Sequence, residues 1–165
     1  MLAQIFGILG ICFSVISMQA KKRKYIFIWL LLLNLASALN FLFLNNNTSS
    51  YICFFAILEM IINYIFEYNK KDVPIFVVII YVFVNIFLGI LSFTTFIDVL
   101  PIICSLIFCA TIICKNEQNI RKLMLGNQSI WLIFDIIVKA YTFSVSNILT
   151  IVSTVIALKR FKEEE

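Results

Sequence analysis

Two carboxyl groups stand inside apolar stretches of the chain. Glu59 lies within the stretch 50–66 and Asp135 within 121–140. A carboxylate in the middle of a membrane helix costs roughly 2.5–3.5 kcal/mol on insertion scales, and those retained usually face a bundle interior or a wet cavity. There Glu59 could exchange protons or act as a polar gate. It could equally be a neutral acid that bonds across helices, with Asn63 one turn away. Asp135 has Lys139 at i+4, the spacing at which opposite charges meet on a helix face, and a lysine can also extend to the headgroups. A self-neutralising pair is the plainer reading there. Gln128, Trp131 and Asp135 nevertheless share one helical face. A flat ring beside amide and carboxylate groups suits a small polar solute in a mostly apolar pocket.

Other polar residues recur at helical spacing. Asn34, Ser37 and Asn40 fall on one side of their stretch, and Ser146, Asn147, Thr150, Ser153 and Thr154 cover one broad face of theirs. Small polar residues are the usual glue between membrane helices, so packing explains most of them. Asn40 and Asn147 are the two set apart as candidate solute contacts. Gly7, Gly10, Ser14 and Ser17 form a stripe read as close packing, and Asn85 reads as a lone amide bridging to a neighbouring helix. Cys104, Cys109 and Cys114 are spaced by five, so successive sulfurs turn by about 140° and share no face. No metal or cofactor site is expected. The chain has no histidine, which removes the commonest general base, and no nucleophile–base set replaces it. An enzyme is not expected.

The elements that must position these residues are membrane spans. Apolar residues make up 62% of the 165, and the charges gather in short clusters between apolar runs. A helix needs about 20 apolar residues to cross a hydrocarbon core. Seven runs meet that need, at 2–20, 25–44, 50–66, 73–92, 98–114, 121–140 and 143–160. Pro74 and Pro101 mark helix starts, where proline is tolerated. The first run reads as a retained span: no basic region precedes it, and its positive cluster follows.

Charge sets the orientation. In a seven-span chain Lys21, Lys22, Arg23, Lys24, Lys70, Lys71, Lys115, Arg121, Lys122, Lys159, Arg160 and Lys162 fall on one side, and only Lys139 on the other. The positive-inside rule makes that side cytoplasmic, with the N-terminus outside and the C-terminus inside. The net charge of +4 is explained by these loops and not by a nucleic-acid partner. Asn46 and Asn47 form overlapping sequons too close to the bilayer to carry weight.

A repeat lies beneath the spans. Placing Ala3 beside Leu100, Cys12 beside Cys109, Lys24 beside Arg121 and Asn63 beside Arg160 superposes spans one to three on spans five to seven. Span lengths and basic loops recur together. The expected fold is an all-α bundle of seven transmembrane helices in a 3+1+3 plan: a first repeat over 1–68, an inverting linker helix over 69–96 and a second repeat over 97–165. Such parallel repeats, related by an axis along the membrane normal, are one known transporter plan.

Leu2-Ala3-Gln4 with Gly7, the Leu100-Pro101 start, Arg121, Trp131 and Arg160 resemble the YgjV-type bacterial inner-membrane proteins. The resemblance spans nearly the whole chain and implies an inner-membrane location more than an activity. The 3+1+3 plan is also similar to that of SWEET and PQ-loop carriers and of PnuC-type transporters. The chain departs from both patterns. No Pro-Gln pair is present, and Asn40 and Phe134 stand near positions where the YgjV resemblance leads one to expect histidines.

Two function classes follow. One is a carrier for a small polar metabolite (a sugar, amino acid or nucleoside) that rocks one repeat against the other. Its pathway would include Glu59, Trp131, Asp135, Asn40 and Asn147. The other is a structural or accessory membrane protein whose polar groups are all satisfied in a dry core. The partner common to both is the lipid bilayer; oligomeric state is not legible.

Overall fold

The computed structural model describes residues 2–43, 47–91, 93, 95–138 and 141–162. Asn46 and Lys139 lie outside them. Among the described residues the chain forms seven α-helices: α1 (Leu2–Gln19), α2 (Arg23–Phe43), α3 (Asn47–Tyr68), α4 (Ile75–Leu91), α5 (Val99–Ile113), α6 (Glu117–Ile137) and α7 (Tyr141–Lys162). Every expected span corresponds to one of them. Arg23–Phe43, Ser49–Tyr68, Phe96–Ile113 and Phe143–Phe161 are both long and apolar enough to cross a membrane, while Ile5–Gln19 and Ile75–Leu91 are apolar but shorter. Large apolar side chains such as Ile8, Leu58, Phe83, Ile136 and Val152 point outward, and Ser17, Glu59, Asn85, Arg121 and Thr154 point inward. That inversion suits a lipid surround, where each backbone and side-chain polar group needs a partner inside the protein.

Local chemistry sets the helix starts. The Asn116 side chain accepts from the Asn119 N–H at 2.9 Å, so α6 begins at Glu117 and not at residue 121. The weak break at 92–96 resolves into a 3-10 turn, Phe96–Asp98, leading into α5, with the Asp98 carboxylate accepting from the Thr95 N–H at 2.7 Å. Pro101 follows in the first turn of α5, where its missing N–H has no partner to lose.

Packing runs around a closed ring. α1 packs on α2, α2 on α3, α3 on α5, α5 on α6, α6 on α7, and α7 returns to α1; α4 covers the seam between α3 and α5. Gly89 sits at that seam, where a Cβ would overlap the Ile102 side chain of α5. α1 and α7 run side by side in the same direction. Gln19 Nε2 donates to the Ser153 carbonyl at 2.8 Å, and Thr150 Oγ1 donates to Ser14 Oγ at 2.8 Å. Where α1 and α5 end and α2 and α6 begin, the interior is a dry cluster of Met18, Ile26, Leu30, Met60, Ile112 and Ile120.

Two arginines close this end, and they do so reciprocally. Arg23, at the start of α2, donates from Nε to the Cys114 carbonyl at 3.0 Å and from Nη2 to the Ile112 carbonyl at 3.2 Å. It pairs with Glu67 of α3 at 2.5 Å. Arg121, early in α6, donates to the Met18 carbonyl at 3.3 Å and the Ala20 carbonyl at 2.7 Å. Its guanidinium lies 4.4 Å from the Phe161 ring centre of α7. Each arginine thus satisfies the unpaired C-terminal carbonyls of a helix in the other half of the chain. The expectation that Arg121 is a loop charge is corrected: it is 1% exposed. Lys24, the residue set beside Arg121 in the expected repeat, is exposed and makes no such contact among the described residues; Arg23 bonds the helix-end carbonyls. Lys115 pairs with Asp72 at the same end.

Arg121→Ala removes charge-assisted bonds from a buried site, and is expected to destabilise the fold by about 2–4 kcal/mol. Exposed Lys122→Ala should change it by less than about 0.5 kcal/mol. Unfolding in mixed micelles, followed by circular dichroism, measures both.

Candidate functional site

Toward the opposite end, where α1, α3 and α5 begin, the ring opens into a central cavity of about 110 Å³. One water needs about 10–15 Å³ by this measure, so the space holds several waters or a small solute. All seven helices contribute to its wall. The polar atoms come from Ser14, Asn34, Ser37, Glu59, Asn85, Ser105, Asn127, Gln128, Asp135, Ser146 and Asn147, set among Phe6, Phe41, Phe108, Trp131 and Phe143.

Each carboxyl in the wall is held by an asparagine from a neighbouring helix. Asn85 Nδ2 of α4 donates to Glu59 Oε1 at 2.7 Å, and Asn147 Nδ2 of α7 donates to Asp135 Oδ2 at 2.7 Å. Glu59 is 1% exposed and Asp135 is 3% exposed. The expected partnership of Glu59 with Asn63 is corrected. Asn63 accepts instead from the Tyr81 hydroxyl at 3.2 Å, because α4 runs antiparallel to α3 and brings Tyr81 and Asn85 to successive turns of it. The proposed ion pair of Asp135 with Lys139 lies outside the described residues; the partner seen is Asn147.

Four of the five expected pathway residues line the cavity: Glu59, Trp131, Asp135 and Asn147. Asn40 does not. It is buried in α2, while Ser37 and Phe41 on the adjoining turn reach the wall, so Asn40 and Asn147 do not converge there. The face of Gln128, Trp131 and Asp135 turns inward as a unit, and the Trp131 ring stands edge-to-face on Phe134 at 5.6 Å.

Several lining residues escaped the sequence reading. Gly7, Gly10 and Ser14 form wall and not only packing; a Cβ at Gly10 would meet Leu33 at an ordinary 3.7 Å, so close approach does not demand glycine there. Their spacing showed a shared face, but nothing local said what that face meets. Asn127 was also missed. It donates to the Cys104 carbonyl at 2.7 Å and ties α6 to α5 at the wall. Asn85, read as a bridging amide, does bridge, and its partner is the Glu59 carboxyl.

A sequence model of bacterial inner membrane proteins, Imp-YgjV, matches residues 1–165. The chain belongs to the Imp-YgjV family. No curated protein and no solved structure matches it. Membership fixes a bacterial inner-membrane setting, in agreement with the outward-facing apolar surface. It carries no activity, so chemistry must come from the cavity.

The two carboxyl–amide pairs are expected to be energetically real and separate. Double-mutant cycles over Glu59→Ala with Asn85→Ala, and over Asp135→Ala with Asn147→Ala, should each return a coupling of about 0.6 kcal/mol and at most about 1.7 kcal/mol, as for polar pairs between membrane helices. A cross-cycle of Asn85→Ala with Asn147→Ala should return close to zero.

Proposed function

We propose that the protein is a carrier for a small polar metabolite, built as two three-helix repeats around the central cavity with α4 as the inverting linker. One observation carries the reading: a polar cavity walled by both halves of the chain lies above a dry, arginine-clamped closure. A carrier needs a solute site open toward one side at a time. The accessory reading requires a core packed dry throughout, and only one half of the bundle is.

All seven helices then span the bilayer. The basic residues of the 20–24, 70–71 and 115–122 segments share the clamped end, so the positive-inside rule makes that end cytoplasmic and the N-terminus external. The structure would represent the state whose cytoplasmic side is shut. Ring neighbours support the repeat: α1–α2–α3 recurs as α5–α6–α7, and the α3–α5 junction recurs as α7–α1. Opening inward would rock one triplet against the other and release Arg23 from the α5 carbonyls and Arg121 from the α1 carbonyls. Glu59 would serve as a polar or proton-linked group in the pathway, with Trp131, Asp135 and Asn147 as solute contacts.

Uptake of a metabolite panel into sealed proteoliposomes, for wild type and Glu59→Gln under an imposed pH gradient, tests this. Gradient-driven uptake by wild type, lost in the variant, is the expected result. Uptake by both keeps the carrier and removes Glu59 from coupling. No uptake of any solute by correctly folded protein returns the assignment to an accessory role.

A further inference from the structure

The charge of the cavity wall is one-sided. Among the described residues its lining holds two carboxyl groups and no lysine or arginine. The arginines nearest in the fold, Arg23 and Arg121, are bound to helix-end carbonyls at the closed end. Each carboxyl has one oxygen bonded to asparagine; the second oxygen makes no hydrogen bond among the described residues. Gln128 is 7% exposed and lines the same space, and its amide also makes no hydrogen bond among the described residues. A buried amide open toward a cavity has donors and an acceptor that a solute can engage, and buried polar atoms are in general hydrogen-bonded.

We propose that the solute is an organic cation, a small primary or quaternary ammonium compound seated between Glu59 and Asp135. The inference rests on the carrier reading for the cavity's being a solute site, and adds the sign and kind of solute. An ammonium group supplies a charge opposite to that of the two carboxyls in a wall of otherwise uncharged polar and aromatic side chains. Its N–H groups, where it has them, can donate to the free carboxylate oxygens and to the Gln128 carbonyl oxygen. The Trp131 indole offers an aromatic face of the sort that attracts cations, with Phe41 and Phe143 completing an apolar surround for alkyl or aryl substituents. An anion would meet two carboxyls with no cation among the described lining residues to balance it. A metal ion fits poorly, because hard cations gather six or more converging oxygens, and no group of three His, Cys, Asp or Glu side chains comes together among the described residues. Glu59 belongs to α3 and Asp135 to α6, one in each triplet. A cation between them is therefore held by both halves at once.

The test compares cations with uncharged molecules of the same shape. Full-length protein in lipid nanodiscs is titrated calorimetrically with choline and with its neutral isostere 3,3-dimethylbutan-1-ol, then with tyramine and with the corresponding alcohol, 4-(2-hydroxyethyl)phenol. At least one ammonium compound should bind about tenfold or more tightly than its neutral partner. Asp135→Asn and Glu59→Gln should each reduce that preference, with folding checked by circular dichroism. Equal affinity for cation and isostere overturns the proposal, as does the absence of binding by all four. The isostere comparison in wild type stands even where a variant fails to fold. Cation binding without flux in proteoliposomes would defeat the carrier reading and leave the cation site. Flux of neutral solutes without cation preference would do the reverse.

Discussion

Hydrocarbon offers no hydrogen bonds, so every polar group this chain carries into the bundle must find its partner there. That constraint organises the structure more than apolar packing does, since lipid tails compete equally well for leucine and phenylalanine. The inward-facing set includes Ser14, Ser17, Glu59, Asn63, Asn85, Arg121, Asn127, Asp135, Asn147, Thr150 and Thr154. Their bonds join α1 to α7, α3 to α4, α5 to α6 and α6 to α7. The serines and threonines also bond back to carbonyls three or four residues earlier, which lets them line an interface without a second partner.

The two ends of the bundle meet the constraint differently. At the clamped end, guanidinium groups answer helix-terminal carbonyls, and the remaining space fills with methionine, isoleucine and leucine. At the other end a cavity remains, walled by polar and aromatic side chains from all seven helices. α4 is more than a connector between these regions. Its buried face of Tyr81, Asn85 and Gly89 anchors α3 through Asn63 and Glu59 and takes α5 in close contact at Gly89. Removing α4 would therefore take away the amide that holds the Glu59 carboxyl.

What the sequence made legible follows the same physics. Helix number, helix order and the inward turn of Glu59 and Asp135 could be read, because burial of apolar length and of charge each has a large, local cost. The face of Gln128, Trp131 and Asp135 could be read because it repeats within one helix. Partners could not. Asn85 and Glu59 are joined only once α4 folds back over α3, and i+4 reasoning offered Asn63 in place of that amide; for Asp135 it offered Lys139, outside the described residues, and did not point to Asn147. Arg121 was misplaced for a related reason. A cation beside an apolar run looks like a loop charge until the helix is seen to begin at Glu117, one turn earlier, which carries the guanidinium inside. Asn40 fails by rotation alone: the turn is right, but Ser37 and Phe41 occupy the wall.

The reciprocity of the arginines bears on how such a bundle could move. Were each arginine bonded within its own half, the first three helices could shift against the last three without disturbing either clamp. Instead Arg23 of α2 holds the end of α5, and Arg121 of α6 holds the end of α1. Any motion that parts the halves at this end must break both sets of bonds together. Glu67 on α3 and Phe161 on α7 would keep each guanidinium anchored to its own half if the crossed bonds broke. The charge would then stay near protein partners and not be released into hydrocarbon. Packed interfaces switch between discrete arrangements and do not deform continuously. On the carrier reading, the crossed bonds are therefore where a two-state closure would sit, and the asparagine-held carboxyls on the cavity side are the groups whose occupancy would bias it.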